Sequence, residues 1–134
     1  MIVGFTGTQE GMTLLQKALF EGVLARVCPD EFHHGDCIGA DAEAHALVRR
    51  NAPRCRIVIH PPEDDAKRAF CEGDEVREPK PYLTRNRVIV ACSDELVGAP
   101  KTAIEELRSG TWSTIRYARA ARKPVHLLKP WDRT

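Results

Sequence analysis

The sequence has no apolar run approaching the roughly 18–20 residues that a membrane span requires. Its opening, MIVGFTGTQEG, lacks the basic segment, apolar stretch and cleavage site of a secretory leader. It also has no CxxC pair. Cys28, Cys37, Cys55, Cys71 and Cys92 are scattered and odd in number, which argues against a disulfide framework or a closely spaced zinc motif. Charge imbalance is nearly absent, with 20 basic against 19 acidic residues and a formal net charge of +1. The basic field of a duplex-DNA or membrane-surface binder is therefore missing. Internal repeats and low-complexity tracts are missing too. These absences predict a cytoplasmic protein with reduced thiols, and neither a membrane nor a nucleic-acid partner is expected.

What remains is enough for one folded domain spanning 1–134, since 43% of the 134 residues are hydrophobic. Ile2 to Thr6 (IVGFT) reads as a buried strand ended by Gly7. Met12 to Val27 has apolar residues at 14, 15, 18, 19, 23, 24 and 27, the spacing of one helical face, and Pro29 closes it. Phe32, His33 and His34 form a short second strand. Asp41 to Arg50 is alanine-rich, acidic first and basic last, matching a helix dipole. Arg56 to His60 (RIVIH) is a β-branched strand stopped by Pro61 and Pro62.

Residues 63–80 are almost wholly charged and read chiefly as a solvated loop, with a short helix around Ala66 to Cys71 and the length of a lid. Tyr82 to Ala91 predicts a helix with Leu83, Val88 and Ile89 inward, although Val88 to Val90 also fits a strand. Glu95 to Ala99, a helix from Thr111 to Ala121, and Pro124 to Leu128 complete an alternation of helices with five strands. Such an order calls for a Rossmann-like three-layer α/β/α domain around a mainly parallel sheet.

Ligands of these sheets bind outside the carboxyl ends of the strands, where the strand order switches. The chain puts its small polar residues there: Thr6, Gly7 and Thr8, then Gly35, Asp36, Gly39, Ala40 and Asp41, then Ser109, Gly110 and Thr111. A helix starting at Gly110 or Thr111 presents unpaired amides and partial positive charge to a phosphate or carboxylate. Ser109 or Thr111 also suffices as a plain N-cap. Asp41 fits either a helix cap or a group meeting a ribose hydroxyl or serving as a base, with Asp36 beside it. Arg85, next to Asn86, has the planar fork that pairs with a phosphate. Trp112 and Tyr117 fit either core packing or stacking on a base. GFTGT lacks the full GxGxxG spacing, and His33, His34, His45 and His60 match no metal-binding spacing. No resident cofactor and no metal are called for.

Taken in order, GFTGT, GDCIGAD, TRNR and SGTWSTIRYA resemble the SLOG superfamily of Rossmann-like domains. That group includes the LOG phosphoribohydrolases, the DprA DNA-processing proteins and the YspA-like small bacterial and phage proteins, the branch most similar here. The resemblance implies a small phosphorylated, nucleotide-like ligand and a homodimer or higher homo-oligomer. It puts the first turn on Gly4, Thr6 and Gly7, the second on Gly35, Gly39, Ala40 and Asp41, the arginine on Arg85 with Asn86, and the phosphate loop on Ser109, Gly110 and Thr111. LOG enzymes have a catalytic glutamate in PGGxGTxxE, where this chain has Thr114. The expected function is therefore nucleotide or nucleotide-derivative binding, the alternative being an N-glycosidase or glycosyl transferase that uses Asp41 or Asp36, with single-stranded DNA binding by analogy with DprA ranked below both.

Overall fold

The computed structural model describes residues 1–131, so the end of the expected domain lies outside the described residues. Six strands form one parallel sheet: β1 (Ile2–Gly7), β2 (Glu31–His34), β3 (Arg56–Ile59), β4 (Glu75–Val76), β5 (Glu95–Ala99) and β6 (Val125–Leu127). Their order is β4-β3-β2-β1-β5-β6. The chain builds outward from β1 in one direction and then returns to add β5 and β6 on the other side. The switch point therefore lies between β1 and β5.

Helices α1 (Leu14–Val27) and α2 (Ala40–Asn51) join β1 to β2 and β2 to β3, while α3 (Tyr82–Cys92) and α4 (Gly110–Ala120) flank β5 in the chain. One core collects Val3, Phe5, Phe32, Ile57 and Ile59 of the sheet with Phe20, Leu24, Ala44 and Val48 of α1 and α2. Phe5, Phe20 and Phe32 meet there with ring centroids 5.4–5.9 Å apart. A second core sets Ile89, Val90, Trp112, Ile115 and Ala118 of α3 and α4 against Leu96. Side chains on one strand alternate between the two layers, so His33 and His34 are both buried but on opposite faces.

Four expectations change. The sheet has six strands, because the charged stretch contributes β4, which extends the edge at β3. That stretch is strapped down rather than free. Arg68 Nε donates to Asp36 Oδ2 at 2.8 Å, the Cys71 amide to Asp36 Oδ1 at 2.9 Å and the Ala69 amide to the Asp36 carbonyl at 2.7 Å.

Over its first turns helix α1 puts a different face inward from the one the apolar spacing marks, whereas Val23 and Leu24 are buried as that spacing expects. Leu14 is 85% exposed, while Gln16 is buried because its amide donates to the carbonyls of Pro100 (2.7 Å) and Leu128 (2.9 Å). In α3, Leu83 points out and Arg85, Asn86, Ile89 and Val90 point in. Polar groups win inward positions wherever the fold offers them partners. Lys123 is such a case, its ammonium capping the end of α3 by donating to Val90, Ala91 and Ser93 carbonyls.

Candidate functional site

At the switch point the exits of β1 and β5 are tied together by the Thr8 amide donating to the Ala99 carbonyl (3.0 Å). Thr8 turns the chain, its carbonyl accepting from the amides of Gly11 (3.2 Å) and Ala40 (3.0 Å). The second bond joins the first turn to the start of α2. Gly7 is needed for this contact, since a Cβ there would lie 2.6 Å from that of Ala40. On the other side, Ser109 caps α4 by accepting from the Trp112 amide (3.2 Å), and the Ser113 amide reaches the Ser109 carbonyl (2.9 Å). The amides of Gly110 and Thr111, the first two of the helix, have no acceptor within it.

Between these parts lies an open cleft of about 340 Å³, walled by Gly7, Thr8 and Gln9 from the first turn, Ser109, Gly110 and Thr111 from α4, and Tyr82 from α3. The loop between β5 and α4 adds Lys101, Glu106 and Arg108. Arg116 holds that loop in place, donating to Glu105 Oε2 at 2.8 Å and the Leu107 carbonyl at 3.0 Å. The cleft therefore combines helix amides, the cationic side chains of Arg108 and of Lys101, the latter paired with Glu10 Oε2 at 3.0 Å, the Glu106 carboxylate and one aromatic ring, a set that can take a phosphate attached to a planar group.

No protein-family model matches the chain, and no curated protein does. Solved structures do. A molybdenum cofactor binding protein from the phototrophic bacterium Rippkaea orientalis superposes with a TM-score of 0.70 at 20% identity, over 94% of this chain and 74% of that one. The Moco carrier protein from Chlamydomonas reinhardtii gives 0.61 at 20% identity, over 95% and 75%. The likeness fixes the fold. It is the Rossmann-like α/β architecture.

The residues singled out from sequence divide into three groups. Gly7, Thr8, Ser109, Gly110 and Thr111 line the cleft. Thr6, Gly39 and Ala40 stand behind the first turn, Thr6 pairing with Gly98 within the sheet. Gly35, Asp36, Asp41, Arg85 and Asn86 form a buried polar layer beneath Tyr82. There the Arg85 guanidinium lies 4.7 Å from the Tyr82 ring centroid and donates to the carbonyls of Gly35 (2.7 Å) and His60 (3.3 Å) and to Asn86 Oδ1 (2.8 Å). Asp36 is committed to Arg68 and the strap. Thr114 spends its hydroxyl on the Gly110 carbonyl (2.9 Å).

Trp112 is core and Tyr117 lies under Arg87, neither in the cleft. Sequence reasoning places Gln9 at the exit of the first strand but passes over Tyr82, Lys101, Glu106 and Arg108. A signal for the last three is their loop, which enters from the strand across the switch point. Among the described residues, two His–His–Cys groupings offer a metal ion suitable donors, and both lie away from the cleft.

Asp41 is the most perturbed acid of the layer. Its Oδ2 accepts from the Cys37 amide at 3.1 Å, while its buried Oδ1 has no partner among the described residues. Burial pushes its carboxyl from 3.8 up to about 6, with nearby Arg85 and the Cys37 amide opposing the rise. A raised acid pKa means the folded state keeps its proton after the unfolded chain has released it. The resulting cost is absent below roughly pH 4, grows between 4 and 6 and reaches about 3 kcal/mol above that. Asp41→Asn should therefore gain about 2–3 kcal/mol on wild type between pH 4 and pH 7, measured by urea unfolding at each pH. A pH-independent difference would show that Asp41 ionises in the ordinary range.

Proposed function

We propose that this chain is a binding module for a small phosphorylated, nucleotide-type molecule held in the switch-point cleft, and that it is a SLOG-type domain nearest the YspA-like branch. The observation that carries this reading is the convergence of the free Gly110 and Thr111 amides with Lys101, Arg108 and the Tyr82 ring around one cleft. The phosphate sits on the α4 amides, the lysine and arginine neutralise it, and the planar group lies toward Tyr82. Two structural neighbours, a molybdenum cofactor binding protein and a Moco carrier protein, support the molybdenum cofactor as one candidate ligand beside nucleotides. Binding is favoured over glycosidic cleavage, because Asp36 and Asp41 are engaged below the cleft wall rather than facing it.

Calorimetry with nucleoside phosphates, the parent nucleosides, inorganic phosphate and molybdenum cofactor tests the reading. Binding should require the phosphate, and no free base should appear from any nucleotide. Gly110→Pro is the sharpest variant. Proline is accepted at the first position of a helix, and the extended backbone of Ser109 (φ −74°, ψ 128°) suits a following proline, so the helix should persist without its first amide donor. Affinity should fall by about 1.5–3 kcal/mol, the value of a hydrogen bond to a charged group. Unchanged affinity, or a wild type that binds nothing in the panel, would remove the phosphate from the start of α4.

A further inference from the structure

Beneath α3, on the opposite layer from α1 and α2, three donor side chains distant in sequence converge. His33 comes from β2, His60 follows β3 directly and Cys92 ends α3. We propose that His33 Nδ1, His60 Nε2 and Cys92 Sγ form a binding site for a zinc-type divalent metal ion, joining the two strands to the helix.

The donor atoms of the three residues all lie within 4.8 Å of one another, and the two ring nitrogens are 2.8 Å apart. Zinc bonds of 2.0–2.1 Å to nitrogen and 2.3 Å to sulfur require tetrahedral edges of roughly 3.3–3.6 Å. The two nitrogens must therefore part by roughly 0.5 Å, and the sulfur must close on them by at most about 1.2 Å.

Contacts outside the grouping already orient His33 and Cys92. His33 Nε2 lies 2.9 Å from Glu31 Oε1, so that nitrogen carries the hydrogen and Nδ1 turns its lone pair inward. A carboxylate on the far nitrogen is the usual support of a metal-bound histidine. Cys92 Sγ accepts from Arg77 Nη1 at 3.3 Å, which fixes where the sulfur lies.

The second grouping, His34, His45 and Cys71, shows what disqualifies a similar set. His34 Nδ1 accepts from the Asp36 amide at 2.9 Å, which places its hydrogen on Nε2, aimed at His45 Nδ1 at 3.0 Å. That nitrogen has no lone pair for a metal. In the His33 grouping a hydrogen also lies between the rings, on His60 Nε2, but His60 Nδ1 has no hydrogen-bond partner among the described residues and is able to take it. When the ion enters, the hydrogen between the two rings moves from His60 Nε2 to its Nδ1, and the Cys92 thiol releases its proton to solvent. Three protein ligands leave a fourth place for water. Loading therefore releases one proton per ion.

Titration of the reduced full chain with cobalt(II), a spectroscopic stand-in for zinc, tests the site. Wild type should bind one equivalent, develop a thiolate-to-cobalt charge-transfer band in the near ultraviolet and lose it when zinc is added. Cys92→Ala and His60→Ala should abolish the band, and Cys71→Ala, from the disqualified grouping, should retain it. X-ray absorption of the zinc-loaded wild type needs no variant and should show one sulfur at about 2.3 Å with nitrogen or oxygen ligands at about 2.0–2.1 Å. No band in the wild type, a band that survives Cys92→Ala, or a zinc shell without sulfur would each overturn the assignment.

Discussion

Replacing Arg85 with alanine is expected to lower the unfolding free energy by about 3–5 kcal/mol, the cost of emptying a buried, hydrogen-bonded charged position. Arg85 is 3% exposed, and its guanidinium bridges the exits of two strands. It reaches the Gly35 carbonyl after β2 and the His60 carbonyl after β3, while Nε is held by Asn86. Without it, both buried carbonyls lose a donor, Tyr82 loses the cation beneath its ring, and Asp41 loses the nearby positive charge that opposes its rise in pKa. Lysine should not rescue, because a single ammonium cannot reproduce a planar fork spanning Gly35, His60 and Asn86. Chemical denaturation of wild type, Arg85→Ala and Arg85→Lys decides the matter. If both variants kept wild-type stability and lost only nucleotide affinity, Arg85 would be a phosphate ligand and the bracing role assigned to it would fall.

The same residue shows which parts of the structure are legible in the sequence. An arginine after a predicted helix start looks like a solvated charge or an anion ligand, and nothing local distinguishes either from a buried brace. The distinction depends on carbonyls supplied by segments dozens of positions away. Gln16 and the turned-out start of α1 have the same origin: apolar spacing reports where hydrophobic groups are, not where tertiary partners make burial of an amide favourable. Strand β4, with two residues in a charged stretch, has no hydrophobic signature because β3 supplies the pairing.

The alternation of strand and helix, by contrast, is written in periods of two and 3.6 that survive any tertiary context. The glycine and hydroxyl residues at strand exits are equally visible, because close approach to a backbone tolerates few other side chains. Lys101 and Arg108 are not, since a loop cation shows its purpose only once the loop has been placed. His33, His60 and Cys92 follow the same rule, meeting through β2, β3 and α3 with no spacing that a motif search would recognise.

Gly39→Ala is expected to cost about 2–4 kcal/mol and, for a domain of this size, to lower the midpoint of thermal unfolding by roughly 3 °C for each kcal/mol. Two effects add. Gly39 has φ +91° and ψ −127°, a conformation that residues with a Cβ adopt only under strain. The added Cβ would also press on the backbone of Gln9, lying 2.5 Å from its carbonyl carbon and 2.8 Å from its Cα. Backbone cannot rotate away as a flexible side chain would, so relief must come from displacing the first turn. That turn is held by the Ala40 amide on the Thr8 carbonyl and by the Met12 amide on Glu43 Oε1 (2.6 Å), and both anchors belong to the start of α2. Moving it shifts Thr8 and Gln9, two walls of the cleft, so nucleotide affinity should fall together with stability. Gly22 supplies the control. It sits within α1, where an added methyl would meet Arg26 Nη1, the end of a flexible side chain, at an ordinary 3.5 Å, so Gly22→Ala should stabilise by about 0.5–1 kcal/mol through helix propensity alone. Equal and small effects at the two glycines would mean that the second turn does not brace the first, and that the cleft is built without it.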